Sequence, residues 1–268
     1  VLQDRDEFFE REPERRAAAY LFTDLRRSTE IADRVTPSML FRALNKYFEV
    51  IVRKIHADDG MLAKFPGDGV FAMWNVPFDQ PDFHRRALKS ALQLKESVGE
   101  FHSNALGLPL QTRIGLHCGD AAIGNCGGRE RFEYTAIGVN VNIAARPEAA
   151  NERLGTQLLV SHDAIEGMES ELVLREIGYC HLKGVGSLKR IFEALAWSNG
   201  EARPAWLNEF DEGRRHFRSR DFSRAAESFR RALELKPKDG PSEFFCELAE
   251  AFAKNPPPAD WNGEIDLA

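Results

Sequence analysis

The chain has 268 residues, of which 43% are hydrophobic and 29% charged, with a formal net charge of −6. That balance suits a globular protein with one large domain and a smaller addition, and no stretch has the length and apolarity of a membrane span. An acidic chain lacks the basic face that binds a phosphate backbone, so no nucleic acid is expected as a partner, and any bound phosphate must be met by a few placed basic residues.

Residues 1–16 are densely charged and read as a linker or the end of a signal-transmitting helix. The fold proper is expected from Ala17, where the apolar run Ala17 to Asp24 predicts a buried strand. Pro37 to Ala57 repeats apolar residues at helical spacing behind Thr36, a good N-cap. Met61 to Phe65 and Val70 to Trp74 flank Pro66-Gly67-Asp68-Gly69 and predict a hairpin, and Arg85 to Phe101 predicts a second amphipathic helix. Strands follow at Thr112 to Cys118, Phe132 to Ala136, Gln157 to Ser161 and Ile191 to Ala196, with a helix from about Val141 to Asn151. The order implies an α+β fold, a ferredoxin-like mixed sheet with helices on one face. Gly127-Gly128-Arg129-Glu130-Arg131 reads as a charged hairpin tip.

After Trp197 the composition changes. Ser198-Asn199-Gly200 is a linker, and Trp206 to Pro237 predicts two short helices joined at Arg220-Asp221. Gly213, Phe217, Ala225, Phe229, Ala232, Leu233 and Pro237 resemble a single tetratricopeptide unit, which cannot bury its own apolar face and must dock elsewhere. The division is therefore 1–16, 17–197 and 198–268, the last ending in a Pro-rich tail with Trp261 as an anchor. Cys118, Cys126, Cys180 and Cys246 are scattered without metal or redox spacing, so a reducing, cytoplasmic location is expected. Because the chain opens at Val1 rather than Met, an upstream sensor or membrane domain is expected in a longer parent.

Two acidic signatures carry the chemistry: Tyr20-Leu21-Phe22-Thr23-Asp24-Leu25-Arg26-Arg27-Ser28-Thr29 and Lys64-Phe65-Pro66-Gly67-Asp68-Gly69-Val70. Each puts a carboxylate at the end of an apolar strand, and two carboxylates side by side in a sheet can hold a pair of magnesium ions for displacement at phosphorus. With Arg113-Ile114-Gly115-Leu116-His117-Cys118-Gly119 and Tyr134-Thr135-Ala136-Ile137-Gly138-Val139-Asn140-Val141-Asn142-Ile143-Ala144-Ala145-Arg146, the segments from Ala17 to Leu195 resemble, in order and spacing, the catalytic domain of the class III adenylate/guanylate cyclases.

The resemblance implies conversion of a nucleoside triphosphate to its 3′,5′-cyclic monophosphate and pyrophosphate. It assigns Asp24, Leu25 and Asp68 to two Mg2+ (or Mn2+) ions, and Asn142 and Arg146 to the ribose and the α-phosphoryl charge. Arg113, Lys189, Ser28 and Thr29 are implied as phosphate contacts, with Lys183 or Arg190 as alternatives to Lys189. Lys64 and Thr135 fall at the purine-reading positions. An ammonium only donates, which suits the bare N1 of adenine and mismatches the N1–H of guanine, so ATP is the expected substrate. The family's sites are shared across a head-to-tail dimer, so an active homodimer is implied. Arg27 stands where many relatives carry Gly, and can either crowd the triphosphate or contact it. The alternative functions are a guanylate cyclase and a non-catalytic nucleotide- or partner-binding module.

Overall fold

The apolar run after Ala17 forms the middle of a strand buried on both sides, β1 (Glu14–Leu25), in a computed structural model that describes residues 12–99, 102–103, 108–128 and 131–267. Successive side chains of a strand face opposite ways. Ala19, Leu21 and Leu25 therefore enter one apolar cluster, and Ala18 and Tyr20 another. On one side β1 pairs antiparallel with β3 (Val70–Trp74), whose outer neighbour is β2 (Met61–Lys64). On the other side it pairs with β6 (Thr112–Gly128), and the separate ribbon of β4 (His102–Ser103) and β5 (Leu108–Pro109) precedes it.

Beyond β6 the sheet continues through β8 (Leu158–Ser161), parallel to it, then antiparallel β10 (Lys189–Trp197) and β9 (Leu172–His181). β11 (Ile265–Asp266) closes this edge in parallel with β9, and β7 (Arg131–Ile137) folds back on the far half of β6. The mixed sheet has nine strands among the described residues. β6 runs ten residues past the expected end at Cys118, as the hairpin partner of β7. Residues 129–130, the tip of the expected charged hairpin, lie outside the described residues.

The helices α1 (Ser28–Arg34), α2 (Pro37–Ala57) and α3 (Phe83–Gly99) follow the expected order, and Thr36 caps α2 by accepting from the Met39 N–H. The expectation of helices on one face only is corrected. Tyr47, Ile51, Leu88 and Ala91 of α2 and α3 cover the Ala19 and Leu21 side. On the opposite side α4 (Val139–Leu154) packs so closely that a Cβ at Gly115 would lie 2.6 Å from the Ala144 carbonyl oxygen. A strand apolar on both sides needs cover on both.

The C-terminal region covers the rest of that second face. The two expected helices are α5 (Ala205–Arg218) and α6 (Phe222–Leu235), and a third, α7 (Gly240–Lys254), follows. Phe210, Phe217, Phe229 and Phe245 are fully buried in one cluster with Leu159, Ile177 and Ile191 of the sheet. Each such side chain contributes roughly 2 kcal/mol by burial, so the helices and the sheet edge share a core. Polar ties reinforce it. The fully buried Arg175 of β9 donates to Asp239 at 2.6 and 2.8 Å and stands 3.1 Å from Glu193. Although burial pushes the Asp239 carboxyl up, Arg175, Lys236 and Ser242 hold it down at about 2. Trp261 packs edge-on against Phe217 and Phe252, and Arg220 donates to the Pro257 and Pro258 carbonyls.

Candidate active site

The end of β1 and the start of β3 are joined by Thr23, whose buried hydroxyl accepts from the Val70 N–H at 3.0 Å. This brings the turn containing Asp68 beside Asp24 and Leu25. A Cβ on Gly69 would lie 2.0 Å from the Thr23 carbonyl oxygen, so only glycine permits the approach. Asp68 Oδ2 is buried with no hydrogen-bond partner among the described residues. An anionic oxygen in that state is costly unless a cation meets it. Among the described residues no group of three or more His, Cys, Asp or Glu side chains is arranged to hold a metal ion. Magnesium asks for less, since one or two carboxylates suffice when substrate phosphates and water complete its shell. The Asp24 and Asp68 pair fits that demand.

Arg113 stands opposite Asp24 in the β1–β6 register and donates to its carboxylate. Its guanidinium also donates to Glu152 at 2.7 Å and lies 3.4 Å from Glu148. Three carboxylates thus hold one guanidinium beside the Asp24 and Asp68 turns. Glu148 and Glu152 are one helical turn apart on the side of α4 that faces β6. Burial, then the charges of Asp24 and Asp68, push the Glu148 carboxyl up to about 7 against the pull of Arg113.

A carboxyl raised above its ordinary value destabilises the fold as pH rises from about 4.5 to about 7, because the folded state then binds more protons than the unfolded one. We expect Glu148→Gln to raise stability at pH 8 by about 1–2 kcal/mol without divalent ions, and to make no difference at pH 4. Two and a half pKa steps correspond to ~3 kcal/mol, offset in part by the lost partner of Arg113. Denaturant titrations at the two pH values measure it.

The remaining residues fall on other surfaces. Lys64, at the exposed end of β2, forms an ion pair with Glu133 of β7 at 3.5 Å. Thr135, 7% exposed, is two positions along β7 on the same side as Glu133, so β2 and β7 bring the two expected base readers together. Asn142 is exposed and Arg146 half-buried, one turn apart on α4. Arg146 points to the β9–β10 connection, where its Nη2 lies 3.5 Å from the Cβ position of Gly184, and it borders a cleft of about 280 Å³ with Arg153, Lys183 and Leu267. Two residues apart on a helix means about 200° of rotation. Arg146 and Glu148 therefore face different ways, while Glu152, which accepts from Arg113, also borders the Arg146 cleft.

Lys189 opens β10 opposite Cys180, and Arg190 is committed to Glu176 at 2.9 Å. Ser28 and Thr29 form the first turn of α1, after Arg27 at φ 59. That left-handed conformation explains why glycine suits the position; the Arg27 side chain is 67% exposed, 3.9 Å from Glu30. The sequence reading missed Glu148, Glu152 and Glu133. Strand alternation alone could have paired Glu133 with Thr135.

With this arrangement in view, the family model described as adenylate and guanylate cyclase catalytic domain matches residues 11–193. Adenylate cyclase 1 of Rhizobium meliloti (strain 1021) is 34% identical over 184 residues, covering 68% of this chain and 28% of that protein. The chain thus matches less than a third of that relative's length. Among solved structures, the adenylyl cyclase CyaB from P. aeruginosa has a TM-score of 0.62 at 24% identity, over 72% of this chain and 100% of that one. The guanylate cyclase domain of RhGC from Catenaria anguillulae, in complex with GTP, has a TM-score of 0.61 at 21% identity, over 68% and 97%. The solved structures share the fold, and the family model, matched across both carboxylate turns and α4, establishes that the chain belongs to the adenylate and guanylate cyclase catalytic domain family.

Proposed function

We propose that this chain is an adenylate cyclase that converts ATP to 3′,5′-cyclic AMP and pyrophosphate, at two equivalent sites shared between the subunits of a head-to-tail homodimer. The observation that carries the reading is the junction of Asp24 and Asp68 at adjacent strand ends, with a buried Asp68 oxygen left unpartnered. Asp24, Asp68 and the Leu25 carbonyl would hold two Mg2+ or Mn2+ ions, which when bound acidify the ribose 3′-hydroxyl and neutralise the leaving pyrophosphate.

The chain's own groups position and stabilise. From one subunit Arg113, Ser28 and Thr29 meet the phosphates. From the other, Asn142 orients the ribose for in-line attack on the α-phosphorus, Arg146 meets the charge growing on the α-phosphoryl oxygens, and Lys189 holds the terminal phosphates. A placed donor such as Arg146 contributes ~3–4 kcal/mol to the transition state. Glu133 steadies the Lys64 ammonium beside Thr135, so that Lys64 donates to adenine N1 and Thr135 accepts from the exocyclic amine.

The opposite facing of Arg146 and Glu148 on α4 supports sharing between subunits. Exposed Ile137 and Val139 border the Thr135 and Asn142 surface and suit a subunit contact. In this reading the catalytic domain runs to residue 197 from the start of β1 at Glu14, three residues before the expected Ala17, and the segment ahead of β1 transmits a signal from an upstream domain. Residues 198–268, the tetratricopeptide-like region, brace the sheet edge.

The test is product identification after separate incubation with ATP and GTP and either metal. Cyclic AMP is expected from ATP, with GTP used at least ~10-fold less efficiently, as befits a site whose donor meets a donor. Cyclic GMP as the main product would overturn the roles of Lys64 and Thr135. A demonstrated dimer that turns over neither would favour a nucleotide-binding module.

A further inference from the structure

The helix that carries Asn142 and Arg146 begins at a buried histidine that the reaction does not use. His117 of β6 is 1% exposed, with Nδ1 at 2.7 Å from Ser161 Oγ and Nε2 at 3.1 Å from Asn140 Oδ1. Asn140 is the second residue of α4, and its side-chain nitrogen donates to the Asp120 carbonyl at 2.9 Å. A carbonyl only accepts, so the Asn140 amide nitrogen must face Asp120 and its oxygen must face His117. His117 therefore donates from Nε2, and in the neutral ring Nδ1 accepts from the Ser161 hydroxyl. Gly119 makes room, since a Cβ there would lie 2.5 Å from Asn140 Nδ2.

This chain of bonds ties three elements. Ser161 ends β8 and pairs with Ile191 of β10, two residues past Lys189. The ionisable groups facing the ring are Asp163, whose carboxylate is 3.7 Å from Nδ1, and Lys189 of β10. Burial holds His117 below the usual histidine range, against the pull of the Asn140 hydrogen bond and of Asp163.

We propose that His117 is a positioning residue for the cyclase reaction, fixing the first turn of α4, and with it Asn142 and Arg146, against β8 and β10, and that its protonation disrupts this register. A second proton at Nδ1 forces the Ser161 hydroxyl to turn from donor to acceptor, and the new charge draws the ring toward Asp163, 3.7 Å from Nδ1. The inference rests on the proposed roles of Asn142 and Arg146.

The experiment compares three variants of the full chain. Asn142→Ala tests the underlying reading: unchanged kcat would remove both that reading and this one. His117→Gln keeps a donor near the Nε2 position without a titrating ring, whereas His117→Asn is too short to reach Asn140. His117→Asn is expected to lower kcat ~10-fold or more with KM within about twofold, the signature of misplaced groups rather than lost affinity. His117→Gln is expected to keep kcat within about threefold of wild type and to lose an acid limb that wild type shows on the acid side of the ordinary histidine range. Nitrogen-15 NMR of the unliganded protein is expected to report the Nε2–H tautomer. An inactive Asn142→Ala beside a His117→Asn with wild-type kcat and pH profile would overturn the positioning role while leaving the cyclase reading intact. So would an Nδ1–H tautomer.

Discussion

Asp24→Ala is expected to lower cyclic nucleotide formation by about a thousandfold, roughly 4 kcal/mol of transition-state stabilisation, while leaving the fold unharmed. Asp24 sits at a strand end, 32% exposed, so its loss opens no core cavity. Its partner Arg113 keeps Glu148 and Glu152, so no guanidinium is stranded. Removing Asp24 also takes away a charge that disfavours ionised Glu148. The thermal midpoint at neutral pH is therefore expected to stay level or rise as activity disappears. Chromatographic product assays and thermal unfolding on the same preparation measure the two effects. Activity within tenfold of wild type, in a folded dimer, would show that Asp24 is not a metal ligand.

The parts of this site that could be read from residues alone are those whose geometry is local. Asp24 closes one apolar run and Asp68 sits in the turn just ahead of another, and Thr36-Pro37 starts a helix by capping chemistry that needs no partner. The parts that escaped depend on what packs against what. β9 was missed because Arg175 and Glu176 interrupt its apolar pattern, and mid-strand charges suggest a solvated loop until Asp239 and Arg190 are seen to pair with them. Glu148 and Glu152 look like a solvated helix side until Gly115 draws α4 onto β6 and sets them against Arg113. The placing of helices on both sides of the sheet was implicit in Ala18 to Leu21, all of them fully buried. The alternative of covering a single face would have left Ala18 and Tyr20 in water. α7 lay beyond the repeat-like pattern, and its Phe245 completes the aromatic cluster begun by α5 and α6.

Mixing two inactive variants is expected to restore catalysis. Under the proposed reading, Asp24→Ala would lack the metal side of both sites in a homodimer, and Arg146→Ala the phosphoryl side of both. In a heterodimer of the two, one site combines both damaged surfaces and the other combines both intact ones. Equal amounts exchanging at random form heterodimers in about half of all pairs, each with one working site of two, so the mixture should reach about one quarter of wild-type specific activity. The expectation follows from α4. Glu148 faces the Arg113–Asp24 centre, and Arg146 leaves about 200° round the helix toward Gly184 and Lys183. If both sets served one site within one chain, each polypeptide would carry its own defect and mixing would restore nothing. Inactivity of a mixture whose subunits demonstrably exchange would therefore reject the shared site, whereas recovery near one quarter would require each subunit to lend Asp24 to one site and Arg146 to the other.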